Sequence, residues 1–234
     1  AGEGDAPPGR PGLSEARLTI VQVTDVYTLE NFPSLKTLLQ CKRSKSSPGS
    51  KVISVLTGDF LSPYLLSTVD SGAGMMDAIT QTPIDYLTWG NHEADIDHET
   101  VCEHVRSYAK SGGTFVNTNM QSHDAMESQV PYEIIEVRSE DGTNVRRVGL
   151  VAVLSDDPAL YKHFPSPGPF GGAPISDPWE TLAEYKEMLE GPPHKCDVVV
   201  PLQHLYVPDD LRTCKDFDFP LVLSGHDHHT VDET

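Results

Sequence analysis

No run of about 18 or more apolar residues occurs in this chain, which excludes a helix spanning a membrane. Basic residues are scarce: 17 Lys and Arg stand against 35 Asp and Glu, for a formal net charge of −18. A nucleic-acid backbone needs a basic footprint, so binding of that kind is argued against. Cysteine is sparse too. Cys41, Cys102, Cys196 and Cys214 lie far apart with no CxxC pair, which argues against a zinc knuckle or a thioredoxin-like motif. Disulfides are chemically open, but a core of this size does not need them. The sequence starts at Ala1 without an apolar signal stretch, so any targeting segment has been removed or omitted, and the compartment stays open.

What is present is 234 residues, 38% of them hydrophobic, enough for one large α/β domain or two small ones with a substantial core. Residues 1–16 are rich in Gly, Pro and Ala and read as a disordered lead-in. Beyond them, apolar runs without alternation at 18–24, 52–57, 84–89, 114–118, 198–202 and 221–224 are bounded by Gly, Pro, Asn and Asp, the pattern of strands covered on both faces. Helical patterns lie between them, around Leu35, Leu38 and Leu39, over 95–110, and over 177–189, where Ser176 or Asp177 can cap and Pro178 suits the first turn. This alternation predicts an α/β fold. Segments 132–137 and 145–154 flank Asp141-Gly142, a hairpin signal, so one antiparallel pair is expected within the sheets. The Pro- and Gly-rich stretch 155–174 is expected to be a long surface loop.

Five segments follow predicted strands and end in metal-ligand residue types: Thr24-Asp25-Val26-Tyr27, Gly58-Asp59, Gly90-Asn91-His92-Glu93, Gln203-His204 and Gly225-His226-Asp227-His228. Each alone is an ordinary polar turn or a stray histidine. Open α/β sheets, however, bind ligands beyond the carboxyl ends of their strands. Carboxylate, amide oxygen and imidazole brought to one crevice suit Zn, Mn, Fe or Co. Metal ions would also supply the positive field that an acidic protein needs to hold an anionic phosphate.

In this order, GDFLSP at 58–63, GNHEAD at 90–95, LQH at 202–204 and GHDH at 225–228 resemble the calcineurin-like metallophosphoesterases, and the GDxxSP and GNHExD forms look like their 5′-nucleotidase and UDP-sugar hydrolase branch. The resemblance runs from about residue 17 to residue 230. It implies a four-layer αββα sandwich with mixed sheets and two divalent or mixed-valence metal ions (Zn, Mn, Fe, Co or Mg). A small-molecule phosphate ester, such as a phosphomonoester, nucleotide or sugar nucleotide, is the implied substrate. By matching position, Asp59 bridges the ions, Asp25 and His228 hold the first, and Asn91, His204 and His226 hold the second. Asn91 and His92 face substrate; His92 assists phosphoryl transfer or leaving-group protonation, and Asp95 orients it. The resemblance makes residues 17–234 the catalytic domain, with a further C-terminal portion, domain or partner completing it.

The pattern breaks at Tyr27, which stands where the family has a second ligand histidine in its DxH motif. Three readings are open. Tyr27 ligates as a phenolate; it does not ligate and the first site is weaker; or the chain is a degenerate homologue that binds metal as an interaction module without turnover. Gly72-Ala73-Gly74 looks like a phosphate loop but reads as a tight turn. His98, His104, His123, His163 and His194 match no motif and read as solvated or helix-surface residues.

Overall fold

Apolar runs without alternation need cover on both faces, and each of the two sheets has it. In the computed structural model, which describes residues 15–229, the first sheet has the order β1-β2-β3-β4 and the second β5-β6-β7-β8. The expected lead-in falls almost wholly outside the described residues; Ala16 forms an isolated antiparallel bridge with Ser139.

The first sheet is built by β1 (Leu18–Val23), β2 (Lys51–Thr57), β3 (Tyr86–Thr88) and β4 (Thr114–Phe115), parallel throughout. Its connections are helices: α1 (Phe32–Ser44), then α2 (Ser67–Asp70) with α3 (Ala73–Gln81), then α4 (His98–Lys110). In the second sheet, β5 (Glu133–Arg138) pairs antiparallel with β6 (Val145–Leu154), as the Asp-Gly turn predicts. Beyond it β6, β7 (Val198–Leu205) and β8 (Leu223–His226) run parallel. The short α5 (Pro158–Tyr161) and the longer α6 (Pro178–Glu190) lie between β6 and β7, and α7 (Val207–Asp216) joins β7 to β8.

Successive strand residues point to opposite faces, which separates three cores. Ile53 and Val55 of β2 meet Leu150, Ala152, Val200 and Leu202 between the sheets. Leu56 and Leu87 turn outward against α1, α3 and α4, through Leu39, Ile79, Val105 and Tyr108. Val151, Val153 and Val199 pack on Leu182 and Leu189 of α6. The result is helix, sheet, sheet, helix: the expected four-layer sandwich.

The differences from the sequence reading have local causes. The helix expected over 95–110 begins at His98, because the Asp97 side chain accepts from Thr100 N–H and caps it there. The segment before it is a single 3₁₀ turn, Asn91–Asp95. The strand expected over 114–118 stays in the first sheet only to Phe115; Val116 then bridges Val130 and Thr118 N–H donates to Ala152 O, so the chain crosses to the second sheet. The loop over 155–174 is less bare than expected, since it contains α5 and a turn at Pro169–Gly172 with Phe170 buried. His123, expected to be solvated, is buried at 3% exposure.

Four free cysteines remain apart, and among the described residues no helix is long and apolar enough to cross a membrane.

Candidate metal centre

Seven residues converge where the carboxyl ends of both sheets meet. Asp25 follows β1, Asp59 follows β2, and Asn91 with His92 follows β3; His204 lies in β7, His226 closes β8 and His228 follows it. Both sheets thus contribute donors to one crevice. Three donors, Asp25 (φ 51°), Asp59 (φ 53°) and His226 (φ 88°), sit in the left-handed region that non-glycine residues avoid. Such conformations cost about 1–3 kcal/mol each and persist where surrounding contacts over-determine them.

Those contacts are visible at Asp59, which is 1% exposed. Its Oδ1 accepts from His92 N–H at 2.9 Å, while Oδ2 lies 3.1 Å from His204 Nε2 and 3.2 Å from Tyr27 Oη. Burial opposes ionisation of Asp59, but the His204 imidazole and the His92 amide hold its pKa below the usual carboxylate value. Asp25 is held by Thr24 Oγ1 (2.5 Å) and by the His226 backbone N–H (3.0 Å), both donating to Oδ2. Its Oδ1 faces His228 Nε2 at 3.2 Å.

Tyr27 Oη lies among these groups, 3.3 Å from Asp25 Oδ1, 3.2 Å from Asp59 Oδ2 and 3.2 Å from His228 Nε2. Burial and the charges of Asp59 and Asp25 hold the phenol well above its ordinary value, so it stays protonated next to these carboxylates. The spacing is nonetheless that of neighbouring donors around one ion bound at about 2.0–2.2 Å, which stand about 3.0–3.4 Å apart.

The donor set fits a divalent cation on two further observations. His204 Nδ1 is 2.8 Å from Thr57 O and so donates to it, which turns Nε2 toward Asp59. Nε2 is buried with no hydrogen-bond partner, and so is Asn91 Oδ1. One ligand atom from each of Asp59, His204 and His226 lies within 4.8 Å of the others. Burial works against charge on His204, yet Asp59 pushes its pKa up to about 9. A cation would replace the proton that this carboxylate–imidazole contact now holds. His226 is shifted the other way, lowered by burial and by His204.

Beside the donors, His92 Nδ1 meets Asp95 Oδ2 at 2.7 Å, and that hydrogen bond is the main reason the His92 pKa is raised. Two supporting residues escaped the sequence reading. Ser62 Oγ donates to Asp95 Oδ2 at 3.0 Å, linking the GDFLSP turn to the His92 pair. Glu93 is fully buried and accepts from four backbone amides: those of Asp59, Phe60, Leu61 and Gly90. Gly90 approaches so closely that a Cβ there would overlap Asp59 Oδ1. The Gly72-Ala73-Gly74 turn holds its own anion, because the Asp70 carboxylate accepts from Gly72 and Gly74 N–H.

Comparison with known proteins follows this geometry. A family model described as calcineurin-like phosphoesterase matches residues 18–230. Among curated proteins no sequence matches. The fold is similar to a 5′-nucleotidase precursor from Thermus thermophilus, with TM-score 0.72, 17% identity, and 93% of this chain but 43% of that one covered. It is similar to the NAD nucleotidase of Haemophilus influenzae, with TM-score 0.73 and 15% identity over 92% of this chain and 39% of that one. The sulfate thiohydrolase SoxB of Thermus thermophilus gives TM-score 0.62 and 20% identity over 87% and 34%. This chain therefore spans less than half the length of each of these structures.

Proposed function

The chain belongs to the calcineurin-like phosphoesterase family, and from that membership we propose that it hydrolyses small phosphate esters at a binuclear metal centre. The observation that carries this reading is the convergence of Asp25, Asp59, His204, His226 and His228 from both sheets, with the His92–Asp95 pair at its edge. Phosphomonoesters, nucleotides and sugar nucleotides are the substrate classes favoured, in keeping with the nucleotidase names of two structural neighbours.

In this proposal Asp59 would be shared by two ions, Asp25, Tyr27 and His228 would complete the first site, and Asn91, His204 and His226 the second. Bound cations supply Lewis acidity and the positive field that a chain of net charge −18 lacks. Thr57 O fixes the tautomer of His204, and Thr24 Oγ1 fixes the carboxylate of Asp25. His92, with Nδ1 engaged by Asp95, holds a proton at its other ring nitrogen for the departing ester oxygen. Asp95 stabilises the charged ring that carries this proton before transfer, and Ser62 holds Asp95 in place.

Replacing His92 tests the proton role. His92→Asn is expected to lower kcat on p-nitrophenyl phosphate by about 10²–10³-fold while leaving metal content unchanged by elemental analysis. A purified chain that binds metal but turns over no phosphomonoester with any divalent ion would instead make it a non-catalytic binding module.

Three donor neighbours at 3.2–3.3 Å support including Tyr27 in the first site. The metal-to-protein ratio is expected to fall in Tyr27→Phe and to recover in Tyr27→His. Equal ratios in all three proteins would remove Tyr27 from the ligand set.

A further inference from the structure

A second group of metal-ligand side chains lies away from the crevice. His98 and Cys102 stand one turn apart on α4, so both project from the same face of the helix. His98 Nε2 is 3.7 Å from Cys102 Sγ and 2.9 Å from Asp124 Oδ2. One ligand atom from each of His98, Cys102 and His123 lies within 4.8 Å of the others, as is also true of Asp59, His204 and His226. Nitrogen and sulfur on one tetrahedral ion, at about 2.0–2.1 and 2.3 Å, stand about 3.6 Å apart. The His98–Cys102 separation matches that edge.

His123 supplies an independent observation. It is 3% exposed, stacked 4.8 Å from the Trp89 ring and set edge-on to His98 at 5.1 Å. Its Nδ1 accepts from Ala125 N–H at 3.1 Å and faces Gln129 Nε2 at 3.2 Å. The amide orientation of Gln129 is fixed, because its Oε1 accepts from Trp89 Nε1 and Asn117 Nδ2. The ring proton of His123 is therefore on Nε2, and that nitrogen is buried without a hydrogen-bond partner. A buried donor without an acceptor is costly. A thiolate at Cys102 would be the missing acceptor.

We propose that His98, Cys102 and Asp124 bind a soft divalent cation such as zinc, with the His123 Nε2–H group donating to the Cys102 sulfur. On binding, the Cys102 thiol proton leaves to solvent and the sulfur becomes a thiolate ligand, while the proton that His98 Nε2 donates to Asp124 passes to solvent or to Nδ1 and frees Nε2 for the ion. Without the ion, burial raises the Cys102 pKa and leaves the thiol inert. The carboxylate of Asp124 is exposed and already lies 2.9 Å from His98 Nε2, so it would exchange that contact for the ion. His98 lines a cavity of about 260 Å³ between α4 and the loop carrying Phe164 and Phe170. Thiolate, imidazole and carboxylate form a donor set unlike that of the first centre, which contains no sulfur. The ion would tie the start of α4, immediately after the turn carrying His92, to the loop before β5.

Cobalt(II) gives a direct test, since a thiolate ligand produces a near-ultraviolet charge-transfer band and the crevice has no cysteine to produce one. Titration of the metal-stripped chain with cobalt(II) is expected to develop that band in the unaltered protein and in Cys214→Ser. It should be absent in Cys102→Ser. In Asp124→Asn, an exposed change that leaves packing intact, the cobalt Kd should rise at least about tenfold. No band in the unaltered chain, or a band that survives Cys102→Ser, overturns the proposal. So does unchanged cobalt affinity in Asp124→Asn, a result obtainable even if Cys102→Ser fails to fold. The readout does not involve phosphatase turnover, so its failure and that of the proposed hydrolase activity are separate outcomes.

Discussion

Asp59→Asn is expected to lower kcat/KM for a phosphomonoester by about 10³–10⁴-fold, or about 4–5.5 kcal/mol of transition-state stabilisation. The size follows from how many functions meet at one carboxylate. Oδ1 fixes the turn that carries Asn91 and His92, by accepting the His92 amide at 2.9 Å. Oδ2 faces His204 at 3.1 Å and Tyr27 at 3.2 Å, one donor from each proposed metal site. Asparagine keeps the shape and can still accept from His92. It removes the charge, however, and turns an N–H₂ toward groups that need an anion or a shared cation. Metal content should fall together with activity while far-ultraviolet circular dichroism stays unchanged. A variant that keeps its activity within tenfold of the parent would show that Asp59 does not bridge ions.

Glu93 is expected to give the largest loss of stability. Its Oε1 accepts from Phe60 and Leu61 N–H at 2.8 and 3.0 Å, and its Oε2 from Gly90 and Asp59 N–H at 2.7 and 3.0 Å. Burial and the charge of Asp59 push its pKa up to about 7, while four converging amides favour the ionised form. Glu93→Gln places an N–H₂ against two amide donors, which should cost about 2–4 kcal/mol. For a domain of this size that lowers Tm by roughly 5–15 °C. Glu93→Ala leaves all four amides without an acceptor and should cost more, to the point of failing to fold. Thermal melts of Glu93→Gln beside the exposed control Glu99→Gln decide the matter. Equal melting temperatures would mean that the two turns are held together by something other than this carboxylate.

Much of the fold is legible in the sequence because its signals are local. Strands covered on both faces announce themselves as apolar runs without alternation, and Asp141-Gly142 marks the antiparallel pair β5–β6. Asp177 and Pro178 mark the start of α6, where Asp177 accepts from Trp179 and Glu180 N–H. The candidate ligands are legible through their order at strand ends. Other features depend on contacts between distant segments. Glu93 in a polar turn looks like any surface glutamate until the GDFLSP turn is folded over it. Ser62 looks like a turn residue until Asp95 is found 3.0 Å away. His98 and Cys102 could have been paired from their helical spacing, but no pattern within 95–110 brings in His123 from the following loop. The glycines at 72 and 74 suggest a phosphate site; Asp70, two residues before the first of them, already fills it.

Asp25 and His228, held 3.2 Å apart, are separated by 203 positions of chain. At a synthesis rate of about 5–20 residues per second, roughly 10–40 s pass between the appearance of one and the other. Once Asn91 is made, the growing chain displays Asp25, Asp59 and Asn91 without the imidazoles that β7 and β8 bring later. Any cation captured early is held by oxygen donors alone, which favour hard ions such as magnesium. Selection for a softer ion can begin only when β7 and β8 have joined.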